Sequence, residues 1–389
     1  MTKYNFDTLL DRKGTNCLKY DALNLFFGSE ELQPFWVADT DFETPEFIME
    51  PLKKRLNHPA LGYTFRPDHF FDVIREWQQK RHQWEIKNAW ITTTPGVVSA
   101  ISNAILAFTK EKDSIIVQSP VYFPFFHTIN GLDRTLSNNP LKRVGNRYEM
   151  DLEHFEQLAK EGAKMFILCN PHNPGGMVWS KETLLKVGEL CVKYDILIVS
   201  DEIHSDLIFE EHRHIPIASI NKEIANRTFT LMAPSKTFNI AGLSTSFVVC
   251  SNPKLRSKFD KMLNTLHIHG GNLIGNIACE AAYQNGDTWL DELMAYLKRN
   301  RDEAIALLRK ELPQLEIFVP EATYLLWLDF SHYGNEKEVE TRLKEGAKIA
   351  LNKGSTFGEG GEGFFRFNYG CPHQVMMEGL QKLITEFKK

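Results

Sequence analysis

The chain has 389 residues, 43 % of them hydrophobic and 24 % charged, with 45 basic and 50 acidic residues and a formal net charge of −5. That composition excludes a disordered or collagen-like chain and a small disulfide-stapled module. The charge balance offers no electrostatic footprint for nucleic acid or an anionic membrane, and the length predicts two to three domains of roughly 150 residues around a sizeable core.

The first residues, MTKYNFDTLLDRKG, contain no apolar h-region, so no signal peptide is expected. No apolar run approaches the ~18 residues of a membrane span. Six cysteines (Cys17, Cys169, Cys191, Cys250, Cys279 and Cys371) are scattered without a CxxC pair, which predicts free buried thiols in a reducing cytoplasm. Val97–Phe108 places apolar residues at 97, 98, 101, 104, 105 and 108, one helical face. Ile115–Val117, Met165–Cys169, Ile196–Ser200, Thr228–Met232 and Phe247–Cys250 are short apolar runs that predict buried strands, most of them parallel. A helix over Glu182–Tyr194 is expected to start at Ser180 as N-cap. Strand–helix alternation of this kind predicts an α/β domain with helices on both sheet faces. Thr288–Leu312 predicts a long amphipathic helix. Strands are expected at Glu316–Val319, Tyr324–Phe330 and Phe364–Asn368, and a closing helix at Gln374–Lys388. The five glycines within Gly354–Gly363 mark either a mobile loop or a close backbone approach. The predicted division is an arm over residues 1–50, a large domain over 51–287 and a small α+β domain over 288–389 that the arm helps to build.

Four segments sit on expected strand ends or the turns after them, where ligands bind in open α/β sheets. Thr94-Pro95-Gly96-Val97-Val98 opens a helix, whose N–H groups and dipole favour an anion such as phosphate. Asn170-Pro171-His172-Asn173-Pro174-Gly175-Gly176 is a tight turn carrying an amide, Asn173, that can donate to a ligand oxygen. Ser200-Asp201-Glu202-Ile203-His204-Ser205-Asp206 brings a carboxylate, Asp201, to the sheet edge, where it can hold a cationic ring nitrogen. Ala233-Pro234-Ser235-Lys236-Thr237-Phe238-Asn239 sets Lys236 among small and apolar residues, where desolvation makes its amine nucleophilic. Singly, each fits a plainer reading: a glycine helix start, an ordinary turn, an N-cap among solvated acids, a surface lysine. Their order is the stronger signal, with Asp201 following Asn173 by 28 residues and Lys236 following Asp201 by 35.

In that order and spacing the chain resembles, over nearly its whole length, the pyridoxal-phosphate (PLP) enzymes of fold type I, the aspartate aminotransferase superfamily. It resembles more closely the MalY/PatB branch, the cystathionine or cysteine-S-conjugate β-lyases. The supporting segments are Phe35-Trp36-Val37-Ala38-Asp39-Thr40-Asp41-Phe42, Gly62-Tyr63-Thr64, Ser119-Pro120-Val121-Tyr122, the Asn170 turn, Asp201-Glu202-Ile203-His204-Ser205-Asp206-Leu207 and the Lys236 turn. Most telling is His204, where ordinary aminotransferases commonly have Tyr.

The resemblance implies a large domain with a mostly parallel seven-stranded sheet between helices, beside a small α+β domain. It implies PLP as cofactor and a small amino acid as substrate. Lys236 would carry the cofactor and later move a proton, Asp201 would pair with the pyridinium nitrogen, Asn173 would bond O3′ and Tyr122 would stack on the ring. Gly96, Val97, Val98 and Ser235 would hold the phosphate, with His204 also near the cofactor. Tyr63 would reach the phosphate in the other subunit, which implies a homodimer with shared sites. Arg366 would clamp the substrate carboxylate, and Asp39 and Asn173 would lie beside the substrate. Three residues depart from the pattern: Gly176 for Thr, Ala233 for Ser, and Thr40 for the Met common in the lyase branch. The expected reaction is α,β-elimination to a thiol, pyruvate and ammonia, with transamination as the alternative. A PLP-binding protein without turnover is opposed by the intact Lys236, Asp201 and Arg366. No G-x-G-x-x-G supports a dinucleotide enzyme. No metal is expected: His212 and His214 with His204, or His267 with His269, lack a full ligand pattern.

Overall fold

The computed structural model describes residues 3–268 and 271–389; of the histidines considered above, His269 lies outside them. Seven strands form one sheet in the spatial order Ile91–Thr94, Ser246–Val249, Thr228–Met232, Leu197–Asp201, Met165–Cys169, Ser114–Val117, Thr135–Asn138. Six run in one direction, and Ser246–Val249 runs antiparallel to both its neighbours. The central strands are apolar throughout because both faces are covered. In Met165–Cys169, Phe166 and Leu168 enter one apolar layer with Leu184 and Val187, while Met165, Ile167 and Cys169 enter the other with Ile101 and Ile105. The edge strands Ile91–Thr94 and Thr135–Asn138 carry threonine and polar residues and have no such apolar run, so the sequence gives them no strand signature.

The expected helices form at Val97–Phe108 and Lys181–Lys193, the second with the Ser180 hydroxyl accepting from the Thr183 N–H. Asp287–Glu311 is a 25-residue helix whose stripe Leu290, Leu293, Leu297, Ala304 and Leu308 is buried. A second, four-stranded antiparallel sheet follows in the order Glu316–Phe318, Leu325–Asp329, Phe364–Asn368, Asn352–Lys353. Phe367 stacks on Phe35 of the N-terminal segment at 4.3 Å between ring centroids, tying that segment to this sheet. The glycine-rich loop makes a close backbone approach: a Cβ at Gly354 would lie 1.8 Å from the Gly361 carbonyl oxygen. All six cysteines are free; five are buried and Cys17 is half-buried. Among the described residues no helix is long and apolar enough to cross a membrane, and no group of three His, Cys, Asp or Glu side chains is placed to hold a metal.

Candidate active site

A cavity of about 490 Å³ opens at the carboxyl ends of the parallel strands. Its lining includes Gly96, Val97, Val98, Tyr122, Asn173, Asp201, His204, Ser235, Lys236 and Arg366, so residues from across 270 positions of sequence meet in one space.

The helix start at Gly96–Val98 forms one wall. No side chain caps it, which leaves the first-turn N–H groups open toward the cavity, and a Cβ at Gly96 would meet nothing within 4 Å. Hydroxyl-bearing Ser99, Ser235, Ser244 and Thr245 line the same cavity. The residue types suit a phosphate. Ala233 also lines it and offers no hydroxyl.

Asp201 ends its strand at the cavity, and its carboxylate accepts from the Ile203 N–H at 3.1 Å. Burial pushes its pKa up to about 7. The flanking Ser200 and Glu202 brace the strand end: the Ser200 hydroxyl (2.8 Å) and the Ile217 N–H (3.2 Å) donate to Glu202 Oε1, and His214 Nε2 lies 2.8 Å from Oε2. Lys236 is half-buried overall, but its amine is desolvated. Nζ donates to the Ala38 carbonyl at 2.6 Å, and burial lowers its pKa to about 8. At neutral pH about a tenth of such an amine is uncharged, far more than for an ordinary lysine near ~10.4.

Arg366 projects from the middle of Phe364–Asn368. Nη1 donates to Asn173 Oδ1 at 2.9 Å; Nη2 donates to the Trp36 carbonyl and to Asn352 Oδ1, each at 2.8 Å. Its Nε is buried without a hydrogen-bond partner among the described residues. Among the described residues its hydrogen-bond acceptors are all neutral, and burial lowers its pKa to about 10. His204 is buried at van der Waals range from the ring of Tyr324 (centroids 6.0 Å apart), its Nδ1 unpartnered, and burial holds the imidazole neutral. Burial, followed by the charge of Asp201, raises the Tyr122 phenol.

Three residues singled out in the sequence stand outside this lining. Asp39 is bound by Arg12, Nη2 to Oδ2 at 2.6 Å, and is not among the cavity residues. Thr40, marked by its departure from the lyase pattern, is buried and likewise outside. Tyr63 is fully exposed, in a segment whose Leu61 and Phe65 are exposed too. Gly176 has φ +67°, and a Cβ there would lie 2.6 Å from Pro320 Cβ, so a side chain such as Thr does not fit this turn. Sequence reasoning missed the Ala38 and Trp36 carbonyls, Asn352 and Thr245. A backbone acceptor leaves no residue-type signal, and Asn352 is an isolated polar residue in an otherwise unremarked strand.

The model of the family described as aminotransferase class I and II matches residues 38–383. The chain is 44 % identical to cystathionine beta-lyase PatB of Bacillus subtilis over 97 % of its own length and 98 % of the relative's. Its fold superposes on cystalysin from Treponema denticola, which contains pyridoxal 5′-phosphate, with a TM-score of 0.95, 35 % identity and 99 % of each chain covered. It superposes on the PLP-bound C-S lyase from Staphylococcus hominis with a TM-score of 0.93 at 32 % identity, covering 100 % of this chain and 99 % of the other.

Proposed function

The chain belongs to the class I and II aminotransferase family, and within it we propose a PLP-dependent C–S β-lyase that splits cystathionine or a related cysteine S-conjugate into a thiol, pyruvate and ammonia. The observation that carries the PLP-enzyme part of this reading is the convergence on one cavity of a desolvated Lys236, a buried Asp201 and an Arg366 whose acceptors among the described residues are neutral. PatB and the Staphylococcus hominis enzyme, by their names, favour elimination over transamination.

The donor set fits the cofactor. Lys236 Nζ would supply the amine for its aldehyde carbon, Asp201 would pair with its ring nitrogen, Asn173 would bond O3′ and Tyr122 would stack on the ring. Gly96, Val97, Val98 and Ser235 supply the phosphate cradle, and His204 stands beside them. When bound, PLP serves as an electron sink for charge developing at the substrate Cα. Asp201, ionised beside a cationic ring nitrogen, would keep that nitrogen protonated. Arg366 holds the substrate carboxylate and so fixes which Cα bond faces Lys236. Lys236 Nζ then takes the Cα proton, for which its lowered basicity suits it near neutral pH. The S-substituent leaves Cβ as a thiolate; water completes the balance by releasing pyruvate and ammonia.

The second subunit's contribution is part of the same reading. Exposed Tyr63, with Leu61 and Phe65, supports a homodimer in which the partner subunit's Tyr63 reaches the phosphate. The free thiols support residence in a reducing cytoplasm. Borohydride treatment of the purified yellow protein, followed by peptide mass mapping, tests the assignment: the cofactor should become fixed to Lys236, and labelling of another lysine would overturn it.

A further inference from the structure

Outside the lining of this cavity lies a buried carboxylate to which the proposed reaction gives no role. Asp206 is nine-tenths buried, and the helix Asp68–His82 supplies two groups to its Oδ1: Trp77 Nε1 donates at 2.9 Å and His82 Nε2 lies at 3.0 Å. On the other oxygen, Oδ2, the Thr237 hydroxyl donates at 2.9 Å. An ionised carboxylate only accepts, so His82 Nε2 carries the proton in this pair. Burial alone would raise the Asp206 carboxyl, but His82, Trp77 and Thr237 outweigh it and hold it below the usual carboxylate range.

The placement of this contact is what gives it a role. Asp206 follows Asp201 by five residues, and Thr237 directly follows Lys236. The two segments leave neighbouring parallel strands, Leu197–Asp201 and Thr228–Met232. The Asp206–Thr237 bond therefore joins the segment carrying the ring-nitrogen acid to the segment carrying the cofactor lysine. Lys236 has one further polar anchor, the bond from Nζ to the Ala38 carbonyl, and that bond must be given up when Nζ reacts. We propose that Asp206, held by Trp77 and His82, is a positioning residue that sets Lys236 against Asp201 through the Thr237 hydroxyl.

The proposal rests on the PLP-lyase reading, so its test separates the two. Thr237→Val, Thr237→Ser and Trp77→Phe are made in the full chain loaded with PLP, and each is read by kcat, KM and the pH midpoint of the bound cofactor's visible absorbance. Thr237→Val should lower kcat at least tenfold with KM within twofold. It should also move the absorbance midpoint upward by half a pH unit or more, because a carboxylate that has lost a donor favours protonated neighbours. Thr237→Ser, which keeps the hydroxyl, should restore both. Trp77→Phe, which takes a donor from the same carboxylate, should move the midpoint the same way by less. Wild-type kcat and midpoint in Thr237→Val would overturn the proposal, as would a Thr237→Ser as impaired as the valine variant. If Thr237→Val does not fold, an unmoved midpoint in Trp77→Phe overturns it and an upward shift supports it. A wild-type protein whose cofactor is not fixed to Lys236 by borohydride overturns the lyase reading and this role together; a correctly labelled wild type with unmoved variants overturns the positioning role alone.

Discussion

Arg366 is buried against Asn173, Asn352 and the Trp36 carbonyl, three neutral acceptors for one cation. A buried charge without a counter-charge is costly unless a ligand supplies one. A carboxylate matches the guanidinium fork with two donors, which a lysine's point charge cannot do. Removing one partner of such a pair costs on the order of 2–5 kcal/mol, and ~1.4 kcal/mol is tenfold in rate. Arg366→Ala should therefore lower kcat/KM at least about tenfold in steady-state assays. The cofactor should stay bound, since in the proposed site Lys236, Asp201 and the helix start would hold it. Arg366→Lys should recover only part of the loss. Full kcat/KM in Arg366→Ala, or loss of the cofactor's absorbance, would make Arg366 structural.

At the scale of elements, adjacent parallel strands deliver two buried ionisable groups of opposite sign, Asp201 at a strand end and Lys236 in the next strand's turn. In the cofactor-free chain Asp201 holds its proton up to about pH 7, while unfolded Asp loses it near ~3.9. Between these values the folded state binds the extra proton, so this contribution to stability falls as pH rises, by roughly 1.4 kcal/mol per pH unit. Lys236 acts at higher pH: its folded value near 8 lies below the unfolded one of ~10.4, so its contribution rises across that window. Denaturant unfolding of the cofactor-free protein should show wild type losing stability relative to Asp201→Asn between about pH 4 and 7. A difference that does not change with pH would contradict the buried, proton-holding Asp201. The elements themselves were unevenly legible. Met165–Cys169 is readable because both its faces are buried and an Asn-Pro turn ends it, and Ser180 is readable as a cap because its hydroxyl does the capping. Ile91–Thr94 and Thr135–Asn138 are sheet edges with few apolar residues, so alternation and apolar runs both miss them.

For the whole molecule, the cavity gathers residues from Gly96 to Arg366, and three of its chemical groups, Asn173, Asp201 and Lys236, are single residues at strand ends or in the turns after them, whose spacing survives in the sequence. What the spacing could not convey is long-range pairing: that Asp39 would be taken by Arg12, or that the Ala38 carbonyl would meet Lys236. Tyr63 stands on the surface, and the proposed homodimer would bring it to the partner subunit's cavity. Mixing Lys236→Ala protomers with Tyr63→Phe protomers puts both lesions in one site of the heterodimer and neither in the other. In an equal mixture at exchange equilibrium, about a quarter of all sites should be intact, so activity should reappear in that proportion. Activity that stays at the parents' level after verified subunit exchange would contradict shared sites. The central claim is the reaction itself, because transamination could use the same Lys236, Asp201 and Arg366. The deciding measurement supplies the purified PLP-loaded protein with cystathionine, and separately with an amino acid plus a 2-oxo acid, and quantifies thiol, pyruvate and ammonia against new amino acid. Elimination should release the three products in equal amounts over many turnovers with little amino-group transfer; turnover of the amino acid and 2-oxo acid pair, without thiol release from cystathionine, would contradict the lyase reading.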